Sequence, residues 1–458
     1  MTAAEFRYRR VALVGLGPHA QRIYFPLLAD LAKRGAIELT HVFELHGRKT
    51  TVERLLDEAH IGTEAIFLSS EADALSALER ACAIRAFDAL IIACDPLCRE
   101  PYYKFALRNR IAVLADKPVF ALPGLALDPM VASEFLRQTV ALAGAFSKSG
   151  IPFVVQAQRR VHPGYRWMKN YLQNVSQEFG VPVTSVHIQH ADGMWVLPDE
   201  WDREHHPYKY GFGKLMHSGY HFVDLLCWLL GMTDGDPYDA VELAGKGTWP
   251  AEALALWQGN ALVPPEHRVS PKVSPESLGE YDVSALLQFR SEGRPKTQAH
   301  LQLQHNSFSD RDPRKIVTDP YKGTGRVRHE RVDLKLSSLV NLQVHSYQSA
   351  STSEPTGTAP GQRDHFDLYV FRNIAVCGGE AFTKLSFGQA QGTRWRSHNE
   401  AAREELLLSF LRGEETGSEL SSHLTTVQLV SYLYELVAKQ REHFSTIQRR
   451  LGRDHRGG

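Results

Sequence analysis

The chain has 458 residues, 43% of them apolar and 23% charged, the make-up of an ordinary globular protein with room for more than one core. Its 52 lysines and arginines equal its 52 aspartates and glutamates, so bulk charge gives no pull toward nucleic acid or an anionic membrane, and no apolar stretch approaches the ~20 residues needed to cross a bilayer. The five cysteines, Cys82, Cys94, Cys98, Cys227 and Cys377, offer no second pair to complete a zinc site around Cys94-x-x-x-Cys98, and the expectation is reduced thiols in a cytoplasmic protein.

Arg7, Arg9 and Arg10 precede an apolar run that Gly15, Gly17 and Pro18 break, so the start reads as a buried strand and not as a signal peptide. Residues 11–14 form that strand, 19–34 a helix ending at Gly35, 37–43 the next strand, and 51–59 and 71–81 helices. Strands follow at 90–93 and 111–114 with a helix at 100–109 between them, then a helix at 129–147 and a strand at 153–155. This βαβ rhythm predicts a doubly wound parallel sheet of the Rossmann kind over residues 1–158. From 159 to 448 the rhythm changes: helices at 163–178 and 215–230, strands at 183–190, 240–246, 281–290, 297–304 and 368–376, and helices at 398–412 and 420–443. A strand-rich half of this sort predicts an α+β domain with a large, mainly antiparallel open sheet. Segments 250–278 and 346–363 read as surface excursions, the second within a longer insertion at 303–365, and the basic tail 449–458 reads as disordered.

Gly15-x-Gly17-x-x-Ala20 falls directly after a strand and before a helix, the context in which such a motif holds a dinucleotide. Gly15 permits the tight turn, Gly17 lets the backbone approach a pyrophosphate, and Ala20 allows close packing; Leu16, Pro18 and His19 complete the turn. Glu44, at the end of the second strand, can accept hydrogen bonds from ribose hydroxyls, which favours NAD; Arg48 and Lys49 could instead hold a 2′-phosphate, so NAD or NADP stays open.

Asp116-Lys117-Pro118 follows the 111–114 strand at the sheet edge where ligands bind in open α/β sheets. An ammonium there can polarise a substrate oxygen. His217 and His221 are i and i+4 on one helix face, extended by Asp224, and His221 suits general acid–base work near neutral pH; Asp224 or His217 could orient its ring. His-x-x-x-His is also a zinc spacing, with His205 and His206 near in sequence. Ser218 stands where the zinc-protease pattern needs Glu, and no metal is expected. Trp195, Trp201, Tyr208 and Tyr210, with Lys209, make the approach to this helix aromatic, which suits a sugar ring or equally the packing of a long loop.

These segments together resemble the glucose–fructose oxidoreductase, inositol dehydrogenase and MocA (Gfo/Idh/MocA) family. The resemblance spans the first 120 residues, Gln158-Arg159-Arg160-Val161-His162-Pro163, and the run from Gly213 to Trp228-Leu-Leu-Gly231. It implies an NAD(P)-dependent oxidoreductase acting on a hydroxyl or carbonyl of a sugar or cyclitol, and a homo-oligomer, dimer or tetramer. Lys117 would polarise the substrate oxygen, His221 would exchange the proton with His217 in a supporting role, and Cys94, Asp95, Pro96, Asp116 and Lys117 itself would line the cofactor. Arg160, Trp195, Tyr210, Tyr220 and Asp224 would face substrate. Some relatives reduce imines, cleave glycosides by a redox route, or bind the nucleotide as sensors without catalysis.

This chain departs from the pattern twice. Asp95-Pro96-Leu97 stands where Thr-Pro-Asn is commoner, and His217 takes the place of the usual Asp. Removing that carboxylate is expected to depress the pKa of both Lys117 and His221.

Overall fold

The computed structural model describes residues 5–193, 204, 207–235, 237–252, 274–309, 326–349, 365–387 and 398–442, which fold around two sheets. The first contains β1 (Arg10–Val14), β2 (Glu38–Leu45), β3 (Glu64–Leu68), β4 (Ala89–Ile92), β5 (Ala112–Asp116) and β6 (Phe153–Gln156), all parallel, in the order β3-β2-β1-β4-β5-β6. Its crossovers are α1 (Pro18–Ile23), α2 (Phe25–Lys33), α3 (Lys49–Ala59), α4 (Ala74–Ile84), α5 (Glu100–Asn109) and α6 (Pro129–Ser149). Val11–Val14 in β1 and all of β4 are buried on both faces, which explains their unbroken apolar runs. Strand order reverses between β1 and β4, and this opens a crevice at their carboxyl ends.

The single helix expected over 19–34 is divided at Tyr24, because Pro26 lacks the N–H that would carry the α1 ladder onward. The sequence pattern missed β3, a half-buried edge strand that opens on Glu64.

The second sheet comprises β7 (Ser185–Ala191), β8 (Ala240–Thr248), β9 (Asp282–Ser291), β10 (Arg294–Gln304), β11 (Phe308–Ser309), β12 (Arg326–Leu336), β13 (Val340–Ser349), β14 (His365–Arg372) and β15 (Phe382–Ser386). Its order is β15-β14-β13-β12-β7-β10-β9-β8, with β11 beside β12. β7 and β10 pair in parallel, and their neighbours run antiparallel. Along β9, Val283, Ala285, Leu287 and Phe289 point into the core while Ser284 and Leu286 face outward, the period of two that a one-sided sheet requires. The inner face packs on α7 (Pro163–Phe179), α8 (Tyr220–Leu229) and α10 (Leu424–Glu442); every residue of α8 is buried.

The expected insertion at 303–365 is in part the middle of this sheet. β12 and β13 form a hairpin inside it, and β12 pairs with β7 through Val332↔Ile188. Charge along Arg326–Leu336 hid the strand period, since the face that carries Val332, Leu334 and Leu336 also carries Arg328 and the buried Glu330. Residues 310–325, 350–364 and the tail 449–458 lie outside the described residues, as does most of 250–278.

Helix α9 (His398–Arg412) packs with the first sheet, not the second. Ala402, Leu406, Leu407, Phe410 and Leu411 share a core with Val11, Leu13 and Leu39, and Tyr8 N–H bonds Leu411 C=O at 3.0 Å. An amphipathic helix does not encode which sheet it covers, so a boundary at 158 assigns α9 to the wrong core. Among the described residues no helix is long and apolar enough to cross a membrane.

Candidate active site

The glycine turn closes onto the end of β4. Gly15 has φ +84°, and a Cβ there would lie 2.7 Å from Cys94 N, so only glycine allows this approach. Leu16 N–H donates to Glu44 Oε2 at 2.6 Å and Leu45 N–H to Oε1 at 2.8 Å, which fixes the carboxylate at the turn; Arg48 Nε lies 3.9 Å from Oε2. A Cβ on Gly17 would meet nothing within 4 Å, so open space faces its backbone. Pro18 opens α1, Ala20 is fully buried, and His19 Nε2 lies 3.3 Å from Asp116 Oδ2, tying α1 to the end of β5. Burial holds His19 down to about 4 and pushes the Cys94 thiol up to about 12. Asp95 accepts Leu97 N–H at 3.0 Å around the Pro96 turn. Arg99 binds the carbonyls of Cys94 and Asp116, which keeps the ends of β4 and β5 together.

Lys117 lies at the carboxyl end of β5, and its peptide bond to Pro118 is cis. Its ammonium donates to the backbone carbonyl of His217, a hundred residues on. His217 belongs to a single π-turn, Leu215–Gly219, that leads into α8; such turns are frequent at functional sites. The turn is stapled from outside. Gly213 N–H and Leu215 N–H donate to the two oxygens of Glu280 at 2.9 and 2.8 Å, and Met216 N–H to Tyr434 Oη at 3.1 Å.

His221 is 7% exposed, and among the described residues its buried Nδ1 has no hydrogen-bond partner, so neither Asp224 nor His217 orients that edge of the ring. Burial, with the Lys117 charge beside it, holds His221 well below the usual imidazole range. Burial likewise lowers Lys117 to about 8, against the pull of Asp116 and Asp192. The site thus presents a neutral imidazole next to an ammonium that parts with its proton more readily than an exposed lysine.

Burial of Glu280 raises its carboxyl to about 7. A carboxyl whose folded pKa lies above its unfolded value of about 4.3 binds more protons folded than unfolded, so its contribution to stability falls as pH rises through that window. We therefore expect Glu280→Gln to gain on the wild type between pH 5 and pH 8, by up to about 3 kcal/mol in urea unfolding.

Three groups at this crevice carry no signal in the sequence pattern. Asp192 and His305 each follow the carboxyl end of a strand, β7 and β10, and the parallel pairing sets them at one edge, with Asp192 N–H on Gln304 C=O at 3.1 Å. Asp192 Oδ1 accepts from Lys214 Nζ and from Ser218 Oγ at 3.2 Å, and its Oδ2 lies 3.4 Å from His190 Nε2. The third is Arg403 of α9, whose backbone carbonyl takes Gln156 Nε2–H at 3.0 Å and whose charge acts on Asp116, Lys117 and His221. A His or Asp just past a predicted strand was visible, but which strands run parallel was not.

The expected substrate residues separate. Arg160, Tyr220 and Asp224 are 2%, 0% and 1% exposed. Arg160 binds Asp224 at 3.0 and 2.6 Å, Gly417 C=O at 2.9 Å and Ser422 Oγ at 2.6 Å, while Tyr220 Oη lies 3.2 Å from His423 Nδ1. Their polar atoms are spent on one another and on the start of α10, so this network holds α8 in place; the expectation that they face substrate is corrected. Tyr210 is half-buried, stacks on Phe212 and donates to Glu204 at 2.8 Å. Tyr208 is fully buried with its hydroxyl 2.7 Å from His305 Nδ1. Trp195, Trp201, His205 and His206 lie outside the described residues.

Solved structures share this architecture along most of its length. An aldose–aldose oxidoreductase from Caulobacter crescentus, complexed with glycerol, superposes with a TM-score of 0.58 at 13% identity, covering 95% of this chain and 98% of that one. The two-domain fold is one that solved oxidoreductases of low sequence identity share. A scyllo-inositol dehydrogenase from Lactobacillus casei gives 0.54 at 13% identity, covering 96% and 98%. The WlbA dehydrogenase from Bordetella pertussis, in complex with NADH and UDP-GlcNAcA, gives 0.55 at 15% identity, covering 95% and 98%. No family model matches the sequence, and no curated protein matches it.

Proposed function

We propose that this chain is an NAD(P)-dependent oxidoreductase that moves a hydride between nicotinamide and a hydroxyl- or carbonyl-bearing carbon of a sugar, cyclitol or related small molecule. The observation that carries this reading is the meeting of Lys117 with the His217–His221 segment, at the carboxyl edge of the sheet, with β4 alone between β5 and the strand that leads into the glycine turn. The open space over Gly17 and the Glu44 carboxylate at the end of β2 fit a dinucleotide: the first admits a pyrophosphate, and the second retains lone pairs for ribose hydroxyls. Because a carboxylate there repels a 2′-phosphate, NADH is expected to bind more tightly than NADPH. When bound, the nicotinamide supplies or takes up the hydride.

The chain's own groups do the rest. The Lys117 ammonium holds the reacting oxygen and stabilises the charge that develops on it. The neutral imidazole of His221 takes the hydroxyl proton in the oxidising direction and returns it in the reducing one. His221 is buried and Lys117 half-buried, which limits the access of water to the reacting atoms.

The test is the absorbance of the reduced cofactor with aldoses, cyclitols, their keto forms and nucleotide sugars. Turnover that depends on Lys117 and His221 supports the reading; tight cofactor binding without turnover across the panel favours a nucleotide-sensing protein. Gly17→Val should fold normally, since nothing crowds the new side chain, yet bind cofactor at least about tenfold more weakly in a fluorescence titration.

A further inference from the structure

Among the described residues Asp192, His217 and His305 each bring a ligand-type atom within 4.8 Å of the other two. They come from three separate elements: the end of β7, the π-turn before α8 and the end of β10. We propose that they form a site for a divalent transition-metal ion of the zinc kind, opening onto the crevice that holds Lys117 and His221. Two imidazoles and one carboxylate are the ligand set of catalytic zinc and related sites, which leave further positions for water or substrate oxygens.

The local structure is built to hold these donors. His305 lies against the backbone of Gly193, where a Cβ would fall 2.2 Å from its Cε1, and Gly193 has φ +78°; any larger residue would expel the ring. Tyr208 Oη, itself fully buried, fixes the His305 ring through Nδ1 at 2.7 Å, the arrangement in which a metal-bound imidazole uses its second nitrogen. Ser218, Lys214 and His190 orient the Asp192 carboxylate. The rings of His217 and His305 meet edge to face, with centroids 6.2 Å apart.

Zinc donors at about 2.0–2.2 Å from the ion lie about 3.4 Å from one another, so binding draws these side chains inward by about an ångström. The buried Lys214 ammonium already shares Asp192 and opposes a second cation. Affinity should therefore be micromolar, weaker than that of a four-ligand structural site. An ion here would act as a Lewis acid on a substrate oxygen beside the one Lys117 holds, and so select substrates with neighbouring oxygens such as vicinal diols or hydroxy acids.

Calorimetric titration of chelator-treated full-length protein with Zn²⁺, in the absence of cofactor, should give one ion per chain. Co²⁺ should give the visible bands of a low-symmetry site. His217→Ala, and His305→Gln with its smaller loss of volume, should each weaken binding at least about tenfold, while His46→Ala, an exposed control, should not. The Zn²⁺-induced rise in Tm should vanish in the same two variants, which reads the site in folded protein. Stoichiometric binding that survives both substitutions, or no binding above that of other surface histidines, overturns the site. NADH affinity measured on the same samples separates this outcome from failure of the oxidoreductase reading, which does not depend on the metal.

Discussion

Lys117→Ala and His221→Ala are each expected to lower turnover about 10²–10⁴-fold, the range general acid–base groups supply, with cofactor affinity changing by less than about tenfold. The split follows from position. Lys117 gives its ammonium to the His217 carbonyl, whereas Glu44 is fixed at the glycine turn by Leu16 N–H, so the loss of Lys117 leaves that carboxylate and the turn in place. It does remove the donor from one backbone carbonyl at the crevice. That costs about 1–3 kcal/mol if nothing replaces it, and water entering the space left by the side chain can do so. Lys117→Arg should not rescue, because a planar fork cannot take the place of a compact ammonium at a site this enclosed.

The double variant decides whether the two groups serve one event. If both act on the same oxygen, removing the second adds little once the first is gone, as for residues that work as a unit. Losses that multiply would place Lys117 and His221 on separate steps and break the proposed mechanism.

What could be read from the sequence was local, and what could not was a matter of long-range pairing. Val11–Val14 followed by Gly15 and Gly17 announced a buried strand and its turn, because burial on both faces demands an unbroken apolar run and the close approach to Cys94 demands glycine. Lys117 was legible for a similar reason: its place at a strand's carboxyl end is set by the residues just before it. Asp192 and His305 were not. Each is a single polar residue after a strand, more than a hundred positions apart, and only the parallel register of β7 with β10 makes them neighbours. Charge-rich β12 likewise reads as an excursion until its pairing with β7 is known. The missing carboxylate at 217 illustrates the same point. Lys117 and His221 are both held low, but burial is the first cause in each, and Asp192, just past β7, brings a carboxylate to the crevice that acts on Lys117. Asp224 differed in the opposite direction: a helix stripe of His and Asp resembles a site, but it does not tell that Asp224 turns to Arg160 of the turn after β6.

Asp224→Ala should therefore be a stability variant first, costing about 3–5 kcal/mol, the usual penalty for stranding one partner of a buried ion pair. Arg160 would keep its bonds to Gly417 and Ser422 but lose the buried carboxylate that is its counter-ion among the described residues, and Thr426 Oγ1 and His423 Nδ1 would lose contacts at 3.0 and 3.1 Å. A lower urea midpoint at constant m measures the loss. The Arg160 guanidinium and His423, outweighing the effect of burial, hold the Asp224 carboxyl far below its ordinary value. A depressed carboxylate contributes fully above its unfolded pKa of about 3.9 and loses that contribution as pH falls toward the folded value. The gap between wild type and variant should accordingly be flat from pH 5 to pH 8 and shrink only in acid. Replacing the pair together, as Arg160→Met with Asp224→Leu, should recover much of the stability, since it removes both desolvated charges at once. A substrate-binding role predicts the reverse pattern, a raised KM with an unchanged midpoint, and that result would return these residues to the active site.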